Sequence, residues 1–250
     1  MRFLLLYLLY AVALSVGLAI AGLRTRRPGA FAAPGAARKS RQRVLVFGAT
    51  GATGREVVRQ GLERGHRVTA FVRNPAKLTQ SHPDLTVITG NVHDRSAVLA
   101  AMKEQDAVIS VLGHHAYYAL GQPQTRATQN ILRAVESERV GRFVCQTSLG
   151  IGDSAGRLGL LYTLFVIPTV LALYFWDKTG QERAIARSRV DWVIVRPAAL
   201  INAPARGRWK AGDVGSFLVM ARVSRADVAS FLLDQLENDC YLRSTPGVCW

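Results

Sequence analysis

The chain has 250 residues, enough for one domain of about 200 residues with a full core plus an N-terminal extension. Its 32 Lys+Arg outweigh 17 Asp+Glu, but eight of the cations precede Val44, leaving 24 against 17 from there to the C-terminus. That mildly basic domain suits a phosphorylated partner, and with no aromatic interleaving or reader motif it excludes a nucleic-acid-binding protein. Three cysteines, Cys145, Cys240 and Cys249, have neither metal-ligand spacing nor the number expected of a disulfide framework. Cys145 reads as a small buried hydrophobe in a strand, and Cys240 and Cys249 can meet only if the C-terminal tail folds back.

Phe3 to Leu23 is an uncharged run of 21 residues followed by the basic Arg24-Thr25-Arg26-Arg27. Two readings compete for residues 1–23. As a retained anchor the segment would hold the protein on a membrane, with the basic flank on the cytoplasmic side. As a signal it would be removed after Ala19-Ile20-Ala21. Residues 24–43 are rich in Ala, Gly, Pro and Arg, and no acid occurs before Glu56, so this stretch is expected to be an unpacked linker or a transit segment. An apolar leader followed by Gly29-Ala30-Phe31-Ala32-Ala33-Pro34 resembles the two-part presequences of algae with complex plastids, which makes a plastid the alternative location.

Residues 44–250 are expected to form the folded domain. Val44 to Arg73 opens it with an apolar strand (Val44 to Phe47), a turn carrying Gly48, Gly51 and Gly54, a helical pattern ending near Gly65, and a second apolar strand (Val68 to Val72). Strand, glycine turn, helix, strand is the first half of a dinucleotide-binding fold. Gly48 permits the sharp turn, Gly51 brings backbone N–H groups to a pyrophosphate, and Gly54 lets helix and strand pack closely. His66, in the helix-to-strand turn, is expected on the surface.

Further strands are expected at Thr86–Thr89, Val108–Leu112, Arg142–Thr147 and Trp192–Val195, the last running into Arg196-Pro197. Helices are expected from Asp94, as N-cap, to about Glu104 with Val98, Leu99 and Met102 inward, from about Thr125 to Glu138, and from Ser224 to Glu237. This alternation predicts an α/β fold, a doubly wound parallel (Rossmann) sheet with helices on both faces and the cofactor along the edge where the strands end. Leu158 to Trp176 is 19 uncharged residues interrupted by Pro168. A buried or interface helix, or a lid over the site, is favoured there over a second membrane contact. The last thirteen residues are expected to add a short edge strand.

The second strand ends at Arg73, with Lys77 four residues on. A carboxylate there would accept hydrogen bonds from a ribose 2′-OH, whereas these cations favour a 2′-phosphate and so NADP(H). GATGATG, FVRNPAKL, the Cys145-Gln146-Thr147-Ser148 stretch, Lys178 to Glu182 leading to DWVIVRPAAL, and SRADVASFLL together resemble the atypical short-chain dehydrogenase/reductases with an NAD(P)H-binding domain. The NmrA-like proteins and the biliverdin-IXβ and flavin reductases belong to that group. The resemblance runs from Val44 to about Leu236. It implies that Gly48, Thr50, Gly51, Thr53 and Gly54 cradle the pyrophosphate, and that Arg73 and Lys77 hold the 2′-phosphate. Asn91 and Val92 would border the adenine, while Leu112, Gly113, Thr147, Ser148 and Pro197 would line the ribose and nicotinamide.

Ser148, Tyr174 and Lys178 follow the serine and tyrosine-x-x-x-lysine pattern of the wider short-chain family. Tyr174 and Lys178 share one helix face, so the ammonium would favour tyrosine ionisation while the tyrosine protonates a developing alkoxide that the serine also binds. Tyr174 also lies among aromatics, where packing is the competing role. Pro197 is followed by Ala198-Ala199-Leu200, without the histidine of the biliverdin-IXβ type, which puts tetrapyrrole reduction in doubt. His114 and His115 fall in the loop after the fourth strand, with a solvated loop favoured over substrate contact. Glu182 is expected to pair with a cation. The expected function is NADPH-dependent hydride transfer to a small acceptor (quinone, flavin or carbonyl), against a non-catalytic NADP(H) sensor or assembly factor. Membrane contact would run through residues 3–23, and a homo-oligomer is left open.

Overall fold

The computed structural model describes residues 2–21, 41–113 and 121–250. His114, His115 and most of the basic segment 24–43, Phe31 included, lie outside the described residues. The strands are β1 (Arg43–Phe47), β2 (Arg67–Val72), β3 (Leu85–Thr89), β4 (Ala107–Ser110), β5 (Phe143–Gln146), β6 (Trp192–Pro197), β7 (Ala199–Ile201), β8 (Lys210–Gly212), β9 (Arg222–Ser224) and β10 (Gly247–Cys249). The helices are α1 (Arg2–Ala21), α2 (Ala52–Glu63), α3 (Arg95–Met102), α4 (Pro123–Ser137), α5 (Ala172–Arg187) and α6 (Arg225–Glu237).

The main sheet has the order β3-β2-β1-β4-β5-β6-β10-β8. From β3 to β10 every pairing is parallel; β8 closes the sheet antiparallel to β10, and β7 and β9 form a separate parallel pair. The reversal of strand order falls between β1 and β4, where a doubly wound sheet opens its ligand crevice. The two-residue side-chain period divides β1 between two cores. Val44 and Val46 pack with Val57 and Val58 of α2 and Phe231 and Leu232 of α6. Leu45 and Phe47 pack on the other face with Val98 and Met102 of α3, Ile131 and Val135 of α4 and Ile185 of α5. Strands covered on both faces are mainly apolar, as the central ones are here, with Ser110 and Arg196 the buried polar exceptions in β4 and β6.

Asp94 caps α3, its carboxylate accepting from the Ser96 and Ala97 amides, and Ser224 caps α6 by accepting from the Asp227 amide. Three expectations are corrected. The tail strand β10 lies inside the sheet rather than at its edge, because β8 pairs with its outer side. Leu99 is 38% exposed, because Val98, Ala101 and Met102, at i, i+3 and i+4, form the inward face of α3 and Leu99 is turned about 100° away from it. His66 is fully buried: Gly65, at φ 80°, reverses the chain beneath the end of α6, and Nδ1 of His66 accepts from the Gln42 amide. Burial lowers the pKa of this imidazole and keeps it neutral.

The segment around Pro168 forms a π-helix, Tyr162–Leu171, that runs directly into α5. Proline has no N–H to donate and would clash with the carbonyl four residues back, so a wider turn relieves both problems. The carbonyl four residues back is that of Leu164, and it accepts instead from the Tyr7 hydroxyl of α1 at 2.8 Å. Tyr10 donates to the carbonyl of Pro168 itself, and the Tyr7 ring stacks on Phe165. Thus the apolar N-terminal run becomes a helix seated along this segment, with Ala11 fully buried. Among the described residues no helix is long and apolar enough to cross a membrane.

Replacing Tyr7 by Phe is expected to lower the unfolding free energy of the full chain by about 1 kcal/mol, the net worth of one part-buried hydrogen bond. Urea unfolding reads it; an unchanged midpoint would mean that α1 does not support the Pro168 helix.

Candidate cofactor site

At the carboxyl ends of β1, β2, β4, β5 and β6 a cleft of about 620 Å³ opens. The β1–α2 turn forms its floor. Gly48 has φ 85°, and a Cβ there would lie 2.8 Å from the Val111 carbonyl oxygen. At Gly54 a Cβ would fall 2.1 Å from the Gly48 carbonyl oxygen, so the first turn of α2 rests directly on the strand end. The Gly51 amide donates to the Gly48 carbonyl and closes the turn. Gly51 is also the N-cap of α2 and has no side chain to cap it. The first amides of α2 therefore face the cleft with the positive end of the helix dipole behind them, which is an anion site.

Of the residues proposed from sequence, Gly48, Thr50, Gly51, Thr53, Gly54, Arg73, Lys77, Val92, Leu112, Gly113, Thr147, Ser148, Tyr174 and Pro197 all line this cleft. Arg73 follows β2 and Lys77 ends a 3-10 turn, Pro75–Lys77, that Asn74 caps. Both cations are exposed and reach the cleft from its β2 side. Asn91 is not a lining residue; its side-chain oxygen accepts from the His93 amide and shapes the turn beside Val92.

Lys178 lies below the cleft rather than in its wall. It is 1% exposed, and its ammonium donates to the Leu112 carbonyl (3.0 Å), the Gln146 carbonyl (3.3 Å) and Gln181 Oε1 (3.0 Å). It thereby ties together the ends of β4 and β5. The same ammonium sits 5.7 Å from the centroid of the Tyr174 ring, a cation–π distance. The Tyr174 hydroxyl lies beside Gly113, 3.9 Å from where a Cβ would stand. Ser148 Oγ donates to the Leu149 carbonyl.

Glu182 pairs with a cation as expected, and the cation is Arg196. Its carboxylate accepts two hydrogen bonds from the guanidinium, at 3.0 and 2.7 Å, and a third from Thr147 Oγ1 at 2.6 Å. Asp153 completes the pairing of Arg196. Burial opposes the charge on Arg196, but Glu182 and Asp153 raise its pKa overall. The network locks Thr147 at the end of β5 to α5 and β6. Cys145 of β5, two residues before Thr147, has its thiol pushed up to about 12 by burial, so it is no nucleophile.

Sequence reasoning missed Phe71, Gly90, Gln146, Leu200 and Arg225 as cleft residues, and of the 158–176 segment offered as a lid it did not single out Tyr162 and Leu171, which line the cleft. Gly90 had a readable signal, a glycine directly after a strand, and a Cβ there would meet the Phe71 ring at 2.5 Å. Gln146 Oε1 is buried without a hydrogen-bond partner among the described residues, which leaves an acceptor in the cleft for a ligand. Tyr162, Leu171 and Leu200 depend on how distant segments fold over the strand ends, which local patterns do not encode.

The uncapped helix over a glycine turn, at the switch point of a parallel sheet, defines a dinucleotide-binding (Rossmann) fold. A family model described as NAD(P)H-binding matches residues 48–239, and the chain belongs to that family, the atypical short-chain group that its motifs resemble. The uncharacterized chloroplastic protein At2g34460 of Arabidopsis thaliana is 30% identical over 175 residues, covering 66% of this chain and 62% of the relative. The photosystem II assembly factor Ycf39 of a Synechocystis strain is 26% identical over 213 residues, covering 81% of this chain and 61% of the relative. The chain thus spans about three fifths of the length of these two relatives. A short-chain dehydrogenase/reductase from Veillonella parvula, solved in complex with NADP, shares the fold with a TM-score of 0.71 at 17% identity, over 84% of this chain and 94% of that one.

Gly54→Ala is expected to leave the protein folded but weaken NADPH binding about tenfold or more, because the turn must open to admit the methyl group. Calorimetric titration beside a urea melt measures both. Undiminished binding would mean that the turn does not hold the cofactor.

Proposed function

We propose that the chain is an NADPH-dependent reductase of the atypical short-chain type, passing a hydride to a small acceptor such as a quinone, flavin or carbonyl. The observation that carries this reading is the composition of one cleft: Arg73 and Lys77 at one end, an uncapped helix in the middle, and Ser148 and Tyr174 at the other. Two exposed cations beyond β2 match a 2′-phosphate, and among the described residues no carboxylate lines the cleft to prefer a free ribose hydroxyl. NADPH, when bound, supplies the hydride. Gly48, Thr50, Gly51, Thr53 and Gly54 would hold its pyrophosphate, with Val92 beside the adenine and Leu112, Gly113, Thr147 and Pro197 along the ribose and nicotinamide.

In this reading the Tyr174 hydroxyl gives a proton to the acceptor oxygen, and Ser148 hydrogen-bonds the same oxygen after releasing the Leu149 carbonyl. Lys178 is a positioning residue. Its donors are engaged by carbonyl and amide oxygens, so it acts through its charge beneath the Tyr174 ring and by fixing the β4 and β5 ends. Residues 44–250 constitute the NAD(P)-binding unit, and α1 is retained with it, a reading supported by its two tyrosine hydrogen bonds to the Pro168 helix. The chloroplastic relative supports the alternative location, a plastid, in which the apolar leader would instead be a removed presequence.

A second reading, an NADP(H)-binding assembly factor without turnover, is favoured by the likeness to Ycf39. Mixing the full chain with NADPH and a panel of quinones, flavins and aldehydes separates the two. Oxidation of NADPH by at least one class is expected, whereas tight binding with no oxidation across the panel selects the assembly factor. With a working acceptor, Tyr174→Phe is expected to lower kcat about a hundredfold while NADPH binding holds; an unchanged kcat would remove Tyr174 as the proton donor.

A further inference from the structure

A band of apolar side chains lies open on the outer side of the helix that walls the cleft. Leu158, Tyr162, Leu171 and Tyr174 face into the cleft, while Leu161, Phe165, Leu173 and Trp176 of the same helical segment are exposed, Leu161 to 63%. Two neighbouring elements extend the band. The strip Phe217–Val219 is anchored beside the segment by the Leu158–Ser216 bridge and by Gly159, whose Cβ would touch Met220; Leu218 is 76% exposed. On the segment's own surface sits α1, pinned by Tyr7 and Tyr10, with Phe3 89% exposed and Leu4, Leu5 and Leu6 exposed beside it. Exposed apolar surface of this extent is rare on a chain that meets only water.

We propose that this band is a monotopic membrane-docking surface, and that it presents the mouth of the cleft to the bilayer so that an apolar, lipid-dissolved acceptor enters directly from the hydrocarbon. Three observations select a lipid surface as the occupant. The first is that α1 is apolar around its whole circumference rather than along one stripe: Phe3 to Leu23 carries no charge, so a protein partner's single face would leave much of it in water. Next, the charges that flank it are of one sign. Arg2 is its first residue and no acid occurs in the sequence before Glu56, a one-signed charge that complements an anionic headgroup layer. Finally, α1 lies along the domain, fastened at two points of the Pro168 helix, and a helix held so can enter the interface lengthwise.

The substrate part rests on the reductase reading above. The acceptor gains a hydride, which carries two electrons, from NADPH and a proton from the Tyr174 hydroxyl, which water re-protonates; NADP⁺ and the two-electron-reduced acceptor leave. An acceptor with a long hydrocarbon tail matches the apolar inner wall of Leu158, Tyr162 and Leu171, with its tail remaining in lipid.

The test uses the full chain with vesicles of phosphatidylcholine alone and of phosphatidylcholine mixed in equal parts with phosphatidylglycerol. Flotation reads docking without cofactor. The wild-type chain is expected to float with the mixed vesicles, more weakly with phosphatidylcholine alone, and the double variants Leu218→Asp/Val219→Asp and Leu4→Asp/Leu6→Asp are expected each to lower the bound fraction about tenfold or more. Every substituted residue is exposed, so the fold is kept. NADPH oxidation by a tailless quinone in buffer should be unchanged in both variants, while oxidation by an isoprenoid-tailed quinone dissolved in the vesicles should fall with binding. A wild-type chain that stays with the soluble fraction, variants that float like it, or an oligomer that buries the band in place of lipid would overturn the docking surface. Flotation intact with no NADPH oxidation by any acceptor would instead overturn the reductase reading and leave the docking surface standing.

Discussion

The contact between Gly54 and the Gly48 carbonyl is closer than any side chain permits, and the arrangement of the cleft depends on it. With the helix and strand backbones in touch, the N-terminus of α2 points across the ends of β1 and β4 at the place where the strand order reverses. A methyl group at Gly54 would push the helix away and tilt its free amides off the cleft. Gly48 adds a second close approach, to Val111 just after β4, so the turn is fixed to the ends of both strands that border the crevice. Cofactor binding is thus written first in missing atoms.

Around that turn the walls are held by buried charge. Lys178 gathers the β4 and β5 ends through their carbonyls, and the Glu182–Arg196 pair joins α5 to β6 while accepting from Thr147. Buried ions are costly to desolvate and are tolerated where they are paired and hydrogen-bonded, as both oxygens of the Glu182 carboxylate are by their three donors. The result is a rigid set of strand ends below a wall, the Pro168 helix, whose own backbone is irregular. That wall borrows hydrogen bonds from α1, so the N-terminal segment and the site are mechanically connected.

Much of this was legible in the sequence. The glycine turn, the strands and the cations after β2 follow local rules, since each depends on residues within about one supersecondary unit. What escaped it was set by distant contacts. His66 looked like a turn residue on the surface and is buried because the end of α6 closes over it. Lys178 followed a catalytic spacing, yet the carbonyls it serves come from Leu112 and Gln146, far off in sequence. The tail strand took an inner place because β8, three residues long, pairs outside it. The apolar run at 158–176 reads as a buried or interface helix or a lid in preference to a membrane contact, and in the fold one of its faces lines the cleft while the other lies open.

The central claim is that Arg73 and Lys77 make the cleft an NADPH site. Titration calorimetry of the wild-type chain and Arg73→Ala with NADPH and with NADH tests it most directly. The account predicts that NADPH binds the wild type the more tightly and that the substitution weakens NADPH by about tenfold to a hundredfold, the worth of a charge-assisted hydrogen bond, while NADH is little changed. Equal losses for both dinucleotides, or equal affinities in the wild type, would contradict it.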